Sequence, residues 1–537
     1  MRKLIHYALL ISSLILCAAV RMRGGEKQLK PGFHTADRCF ACHNELKTQS
    51  GRDISIGLAW RSSIMANSAR DPYWQGSVRR ETIDHPQAAK DIEDECSICH
   101  MPIVHYEAKL RGQKAEVFKQ LPFDPGNKES GAAADGVTCS VCHQVSQEKL
   151  GTHESFNGGF VIEPPKTRND RPEYGPFEVA SDRQHIMDTS TGGFQPTYAQ
   201  HIRDSALCGS CHQLYTTARD AEGKENGYLP EQMPYLEWKH SDYPEKYSCQ
   251  GCHMPEVNEA VNISSVLGVP RNGMHQHVFV GGNFLLQGML NRYRGELQVE
   301  ALPQELTAAA DGTLAFLQSE SARVDIHDVE LDASGLRMEV SVHNLTGHKL
   351  PTAYPSRRTW LHVTVRDRDG TVVFESGKLN PDGSIAGNDN DADPLRYEPH
   401  YREITSGDQV QIFESILGDP AGRVTTGLIA ATQYLKDNRI LPTGFDKQTA
   451  EKDIAVIGDA ADDPSFAAGE DAVRYSIPVT EEGPFRIEVE LLYQPIGFRW
   501  AHNLGSYKAV EPQRFVGYYD SMSSQATAVL AKAEAVR

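Results

Sequence analysis

Ten of the 11 cysteines in this 537-residue chain fall into five units of a single pattern. They are Cys39-Phe-Ala-Cys42-His43, Cys96-Ser-Ile-Cys99-His100, Cys139-Ser-Val-Cys142-His143, Cys208-Gly-Ser-Cys211-His212 and Cys249-Gln-Gly-Cys252-His253. Two thiols three positions apart project from one face of a helical turn, and each can form a thioether with a vinyl group of a haem. The histidine that follows turns its imidazole under the iron as the proximal ligand. Zinc gathers its ligands in fours, so five pairs would leave one stranded. A disulfide framework or a redox dithiol does not require a histidine after every pair. The pattern therefore predicts five covalent haem c groups. Cys39, Cys42, Cys96, Cys99, Cys139, Cys142, Cys208, Cys211, Cys249 and Cys252 are the attachment points, and His43, His100, His143, His212 and His253 are the iron ligands.

Each iron then has a second axial position to fill. Four histidines sit in constrained settings. His201 precedes Cys208 by seven residues and His240 precedes Cys249 by nine. His277 opens the run His-Val-Phe-Val-Gly-Gly-Asn, whose glycines permit close approach to a flat cofactor. His348 lies in Thr-Gly-His-Lys-Leu-Pro-Thr, a turn at the end of a strand. By contrast, His327, His343 and His362 alternate with apolar strand positions and are expected to face solvent. His400 and His502 have no distinguishing context. The fifth partner is open among His34, Met65, His85, His105, His153 and His185, and a methionine there would raise the potential relative to two histidines.

The scaffold that must position these groups divides in two. All five units lie between Cys39 and His253, with first cysteines 57, 43, 69 and 41 residues apart. So few residues cannot wrap each haem separately, so the macrocycles are expected to pack on one another and supply much of the core. This part reads as mainly α and irregular, with a helix over 56–70 and helices over 285–302 and 304–317 leading out of it. After about residue 320 the apolar period changes to two. Leu336, Met338, Val340 and Val342 share one strand face, as do Leu361, Val363 and Val365, and later Ile487, Val489 and Leu491. Asp369-Gly370 marks a hairpin turn before the strand that ends at Phe374. These features predict a multidomain chain: a signal peptide over 1–20, a pentahaem cytochrome c domain over 21–318, an antiparallel β-sandwich over 319–510 and a C-terminal helix over 511–537. Within this plan 425–436 reads as helical, and the last helix, over 521–536, is expected to pack back on the haem domain.

Met1-Arg2-Lys3 followed by apolar residues 4–20 reads as a signal peptide cleaved after Ala19, or as an anchor if uncleaved. Cys17 lies inside it, and Leu16 is not the small residue that a lipoprotein signal places before its cysteine. Nothing later approaches the roughly 18 apolar residues that span a bilayer. Export to the periplasm or the cell exterior is expected, with membrane contact only through that first segment. The net charge of −18, deepened by haem propionates, excludes a nucleic-acid partner, which needs clustered Lys and Arg. The charge suits redox proteins with basic patches, or an extracellular electron acceptor. The loop 387–393, Gly-Asn-Asp-Asn-Asp-Ala-Asp, offers hard oxygen donors that Ca2+ would take, set against a solvated acidic turn, but lacks the EF-hand glutamate. No Ser/His/Asp set, phosphate-cradling loop or nucleotide fingerprint stands out.

The five C-x-x-C-H units, the Cys-His-Met-Pro that ends two of them at Met101-Pro102 and Met254-Pro255, and His277 with its Gly-Gly-Asn resemble multihaem c-type cytochromes related to the tetrahaem electron acceptor of hydroxylamine oxidoreductase. The Gly347-His348-Lys-Leu-Pro351 turn resembles the β-domain appended to many exported multihaem cytochromes. The resemblance implies low-potential haems, mostly with two histidine ligands, in a closely stacked chain. A fifth haem and a long β-domain depart from the four-haem pattern.

Electron transfer is therefore the leading expectation, ahead of any enzymatic role. An oxidoreductase of a small nitrogen or sulfur species would need one haem with an open position and nearby acid–base groups. The pentahaem nitrite reductases typically mark theirs with C-x-x-C-K, whereas every unit here ends in His. A third expectation is a homo-oligomer or haem-lined extracellular filament.

Overall fold

The structure, a computed structural model, describes residues 32–124, 126–164, 170–480 and 483–537. The signal-peptide reading and Cys17 lie outside the described residues.

Each C-x-x-C-H unit closes a helix. They end or form the helices Asp37–His43, Ala89–His100, Cys139–Cys142, Ser205–His212 and Cys249–His253. Local chemistry starts two of them: the Asp204 carboxylate accepts from Ala206 N–H, and the Ser248 hydroxyl oxygen accepts from Gly251 N–H. The intervening chain is short helices and small strand pairs, including a parallel pair at Arg171–Gly175 with Phe194–Tyr198. The helix expected over 56–70 stops at Arg61 and continues as turns. The helices leading out are Phe284–Arg292 and Pro303–Glu320, separated by a turn and not continuous to residue 302.

From residue 322 the chain is built from strands. In chain order we label them β1 (Ala322–Asp332), β2 (Gly335–Asn344), β3 (Arg358–Arg366), β4 (Val372–Ser376), β5 (Glu403–Ile404), β6 (Ile412–Gly418), β7 (Val424–Thr425), β8 (Gln433–Asp437), β9 (Glu470–Ile477), β10 (Arg486–Gln494) and β11 (Ala528–Val536). One sheet has seven strands in the order β7-β6-β3-β10-β11, with β4 on β3 and β8 on β6. A second has the order β5-β9-β2-β1. The pairings are antiparallel except β5 with β9. The period-two residues face one another across the two sheets. Leu336, Met338, Val340 and Val342 of β2 join Leu361, Val363 and Val365 of β3 and Ile487, Val489 and Leu491 of β10 in one buried cluster. The hairpin expected at Asp369-Gly370 joins β3 to β4.

Two expectations are corrected here. Residues 425–436 are not helical: β7 and β8 both pair with β6. The C-terminal helix is Val510–Met522, and the residues after it form β11 against β10. The helix does pack back on the motif-carrying region. It lies against Pro72–Asp84, where Arg79 pairs with Glu511 at 2.9 Å and Tyr73 meets Phe515 with ring centroids 4.9 Å apart. Among the described residues no helix is long and apolar enough to cross a membrane.

Candidate haem-ligand site

The ten motif cysteines are free thiols, so none is tied up in a disulfide. They are also gathered together. Cys39 lies beside Cys139, Cys99 beside Cys211, and Cys208 beside Cys249, close enough for each thiol to act on its neighbour. Cys142 lies within electrostatic reach of Cys208 and Cys211. In space, then, the first unit adjoins the third, the third adjoins the fourth, and the second and fifth both adjoin the fourth. Sequence order does not carry this arrangement.

The histidines show what the cluster can hold. His143 faces His277 with ring centroids 6.3 Å apart and planes inclined by 19°. His253 faces His348 at 6.2 Å and 10°. Imidazole nitrogens bond a metal at about 2.0–2.1 Å, so two rings on opposite sides of one ion stand with centroids about 6.3 Å apart. Trp74 over His100, at 4.4 Å, is a face-to-face stack with no room for an ion. Both facing pairs therefore have the separation that one iron would require.

The ring nitrogens are arranged to match. In all four of these histidines Nδ1–H donates to a backbone carbonyl: Tyr174 for His143 (2.6 Å), His275 for His277 (3.1 Å), Val280 for His253 (2.6 Å) and Lys349 for His348 (3.0 Å). That bond fixes the tautomer and leaves the Nε2 lone pair for a metal. His43 and His100 are anchored likewise, to Ile263 (2.6 Å) and Ser68 (3.0 Å). Burial keeps the imidazoles neutral, as ligands must be. It pushes His277 down to about 3, with help from His143, and His100, His212 and His348 down to about 4. The residues present fit a haem iron held between two histidines.

His201 and His240 are placed differently. The Nε2–H of His201 donates to the Val145 carbonyl (2.8 Å), with its ring edge-on to Tyr174. The Nε2–H of His240 donates to Asp446 (3.0 Å), and its ring meets Phe445. The nitrogen that the facing pairs keep open is here bonded to backbone. Of the six candidates for the fifth ligand, His34 packs on Phe194, His85 donates toward the Asp220 carbonyl, His105 pairs with Asp94, His153 packs on Phe156 and Tyr215, and His185 is exposed. The Met65 carbonyl accepts from Val137 N–H. His275 escaped the sequence reading. Its Nδ1–H donates to the Met254 carbonyl at 2.6 Å, the same anchoring as the facing pairs. The His275-Gln-His277 spacing, which sets two histidines on one side of an extended chain, was its available signal.

The glycines after His277 also serve another purpose than expected. A Cβ on Gly282 would collide with the Tyr493 hydroxyl, which donates to the Gly282 carbonyl. The bare backbone there admits a side chain of β10.

The oxygens of loop 387–393 are largely engaged. Asp391 is buried and forms a two-point ion pair with Arg358 at 2.8 and 3.0 Å, while Asp389 pairs with Arg396. One further cluster has metal-like spacing among the described residues: His400, Asp463 and Asp471, all buried. Here His400 Nδ1 is an acceptor. It faces the amide NH2 groups of Gln411 (2.8 Å) and Asn438 (3.2 Å), whose carbonyl ends are fixed by Tyr401 N–H and Glu414 N–H. A neutral His400 therefore carries its proton on Nε2, which lies 3.3 Å from Asp463 and 3.8 Å from Asp471 without the alignment of a hydrogen bond to either.

No family model and no curated protein sequence matches the chain. Among solved structures, the chain is similar to a penta-heme cytochrome c552 from Thermochromatium tepidum, with a TM-score of 0.53 and 16% identity, over 94% of this chain and 99% of that one. At that identity the likeness is one of fold, and its coverage means that the motif-carrying and β-rich regions together have a counterpart in one known protein.

Proposed function

We propose that the chain is an exported multihaem c-type electron-transfer protein with five covalent haems, and that a β-sandwich after about residue 320 is built into their surroundings. The observation that carries this reading is the two imidazole pairs at 6.3 and 6.2 Å, each with one ring from a C-x-x-C-H unit. When bound, haem supplies reversible one-electron exchange at iron, with a potential set by ligands, burial and hydrogen bonds. The chain's part is attachment and orientation. The ten cysteines would form the thioethers, and each of the five motif histidines would bind an iron. His277 and His348 would supply the second ligands of the third and fifth irons. His275 joins the set of distal candidates, while His201 and His240 leave it because their Nε2 atoms are bonded. The thiol contacts support a junction at the fourth haem, with the third, second and fifth around it. The fold counterpart's penta-heme content agrees with the motif count. An acidic surface fits redox partners with basic patches or an acceptor outside the cell.

The test is a pyridine haemochromogen assay after acid–acetone extraction, joined to electron paramagnetic resonance of the oxidised protein. Five non-extractable haems per chain are expected, with His277→Ala converting one from low to high spin. Haem that extracts into acetone would overturn covalent attachment. A high-spin, ligand-binding haem in the unaltered protein would shift the reading to an oxidoreductase.

A further inference from the structure

His348 is supplied by the β-rich region, while His253, its facing partner, belongs to the motif-carrying one. The turn that carries His348 is gripped from below by four buried charges. Lys349, with no solvent exposure, donates from Nζ to Asp437 (2.7 Å) and to the Ala455 carbonyl (3.2 Å). Arg439 forks onto Asp437 at 2.8 and 2.7 Å and reaches Glu237 at 3.0 Å. Glu237, equally unexposed, lies on the helix Pro234–Lys239, between the fourth and fifth haem motifs. Its second oxygen accepts from the Lys349 N–H (3.2 Å) and from the Thr352 hydroxyl. Leu350 N–H and C=O both pair with Ile440 at 2.9 Å.

Two cations and two anions make the cluster neutral. Buried ion groups of this kind contribute little net stability compared with apolar packing, and their best-attested use is to fix register. What this one fixes is specific. The carbonyl that orients the His348 ring is that of Lys349, and the N–H and the Nζ of this same residue are both held by the cluster. Gly347 adds to the fit, because a Cβ there would stand 3.0 Å from the Tyr243 ring. We propose that Glu237, Lys349, Asp437 and Arg439 are positioning residues that lock the His348 imidazole toward His253, so that the β-rich region sets the ligand geometry of the fifth haem. This rests on the haem reading above.

The experiment uses the full-length haem-loaded protein and follows spin state and the potentiometric titration of all haems. His348→Ala tests the ligand: one haem should become high-spin and bind carbon monoxide, and added imidazole should restore low spin. If every haem stays low-spin, the ligand reading of His348 fails. Lys349→Met tests the positioning: the haem count should stay at five, while one redox step moves and one low-spin resonance broadens or is lost, with the others unmoved. Lys349→Arg should recover much of the signal. Glu237→Gln keeps the side-chain volume and serves the same purpose if Lys349→Met does not fold. If His348→Ala yields the high-spin haem while Lys349→Met and Glu237→Gln leave every resonance and redox step unchanged, the positioning role is overturned.

Discussion

The two regions of this molecule differ in how continuous their apolar cores are. After residue 322 the inner faces of two sheets meet in one large apolar cluster containing Leu361, Val363, Val489 and Leu491, all fully buried. The motif-carrying region joins that cluster through residues such as Leu229, Phe284 and Met289, and the rest of its apolar interior is broken into smaller groups. One gathers around Ile92, Met101 and Val104, another around Leu46, Ile54 and Val261, and a third is only Ala36, Trp60 and Ala66 with their neighbours. Motif cysteines pack against two of those groups, Cys96 on the first and Cys139 on the third. The contrast teaches that one region takes its packing mainly from a continuous apolar core, while on the haem reading the other would complete its packing with the groups its cysteines hold.

The contrast is broken or sharpened most strongly by withholding that held group. Cys208→Ser with Cys211→Ser removes the unit whose thiols touch those of the second and fifth. In the full-length protein, limited proteolysis mapped by mass spectrometry should then cut throughout 32–300 and spare β1 to β11. Uniform resistance along the chain would show that the motif region packs without its central haem, and the contrast would fail.

The second effect is smaller and falls on the other region. Leu361→Ala removes a fully buried side chain from the sheet-to-sheet core, at a cost of about 2–5 kcal/mol. Denaturant unfolding followed by far-ultraviolet circular dichroism should show that loss, with haem absorbance at low denaturant unchanged. A change in haem absorbance without loss of β stability would mean that the strands are subordinate to the haem region.

How much of this was legible beforehand depended on whether the deciding contact was local. The C-x-x-C-H units are local, as is the alternation of β2, β3 and β10, and each was readable. The last strand was not. Ala528-Val-Leu-Ala-Lys-Ala-Glu-Ala-Val is rich in helix-favouring residues, yet pairing with β10 outweighs that preference. Residues 425–436 were misread for the same reason, since their fate is set by β6. Among the histidines, proximity to a motif does not set which ring nitrogen is open. His201 and His240 sit close to cysteines in sequence, but their rings turn Nε2 to backbone carbonyls. His348 lies 95 residues beyond His253 and faces it. Spacing along the chain says where a histidine is, and only the fold says which nitrogen is free.

The smallest effect concerns a polar site inside the apolar region, where His400 meets Asp463 and Asp471. Burial, and then the charge of Asp463, push the Asp471 carboxyl up to about 8. The folded protein therefore keeps a proton on Asp471 that the unfolded chain releases near its ordinary value of about 3.9. Between those two values the folded state binds more protons, so this group's contribution is fully present below pH ~4 and declines as pH rises through about 8. Asp471→Asn replaces the protonated acid with a neutral isostere, which can still accept from Gln411 (3.3 Å in the parent). Chemical denaturation between pH 5 and 9 should show the parent losing β-region stability with rising pH and the variant losing less. Equal slopes in the two proteins would mean that Asp471 ionises without cost, and that the sheet-to-sheet core tolerates a buried carboxylate which Lys447 favours only weakly against burial.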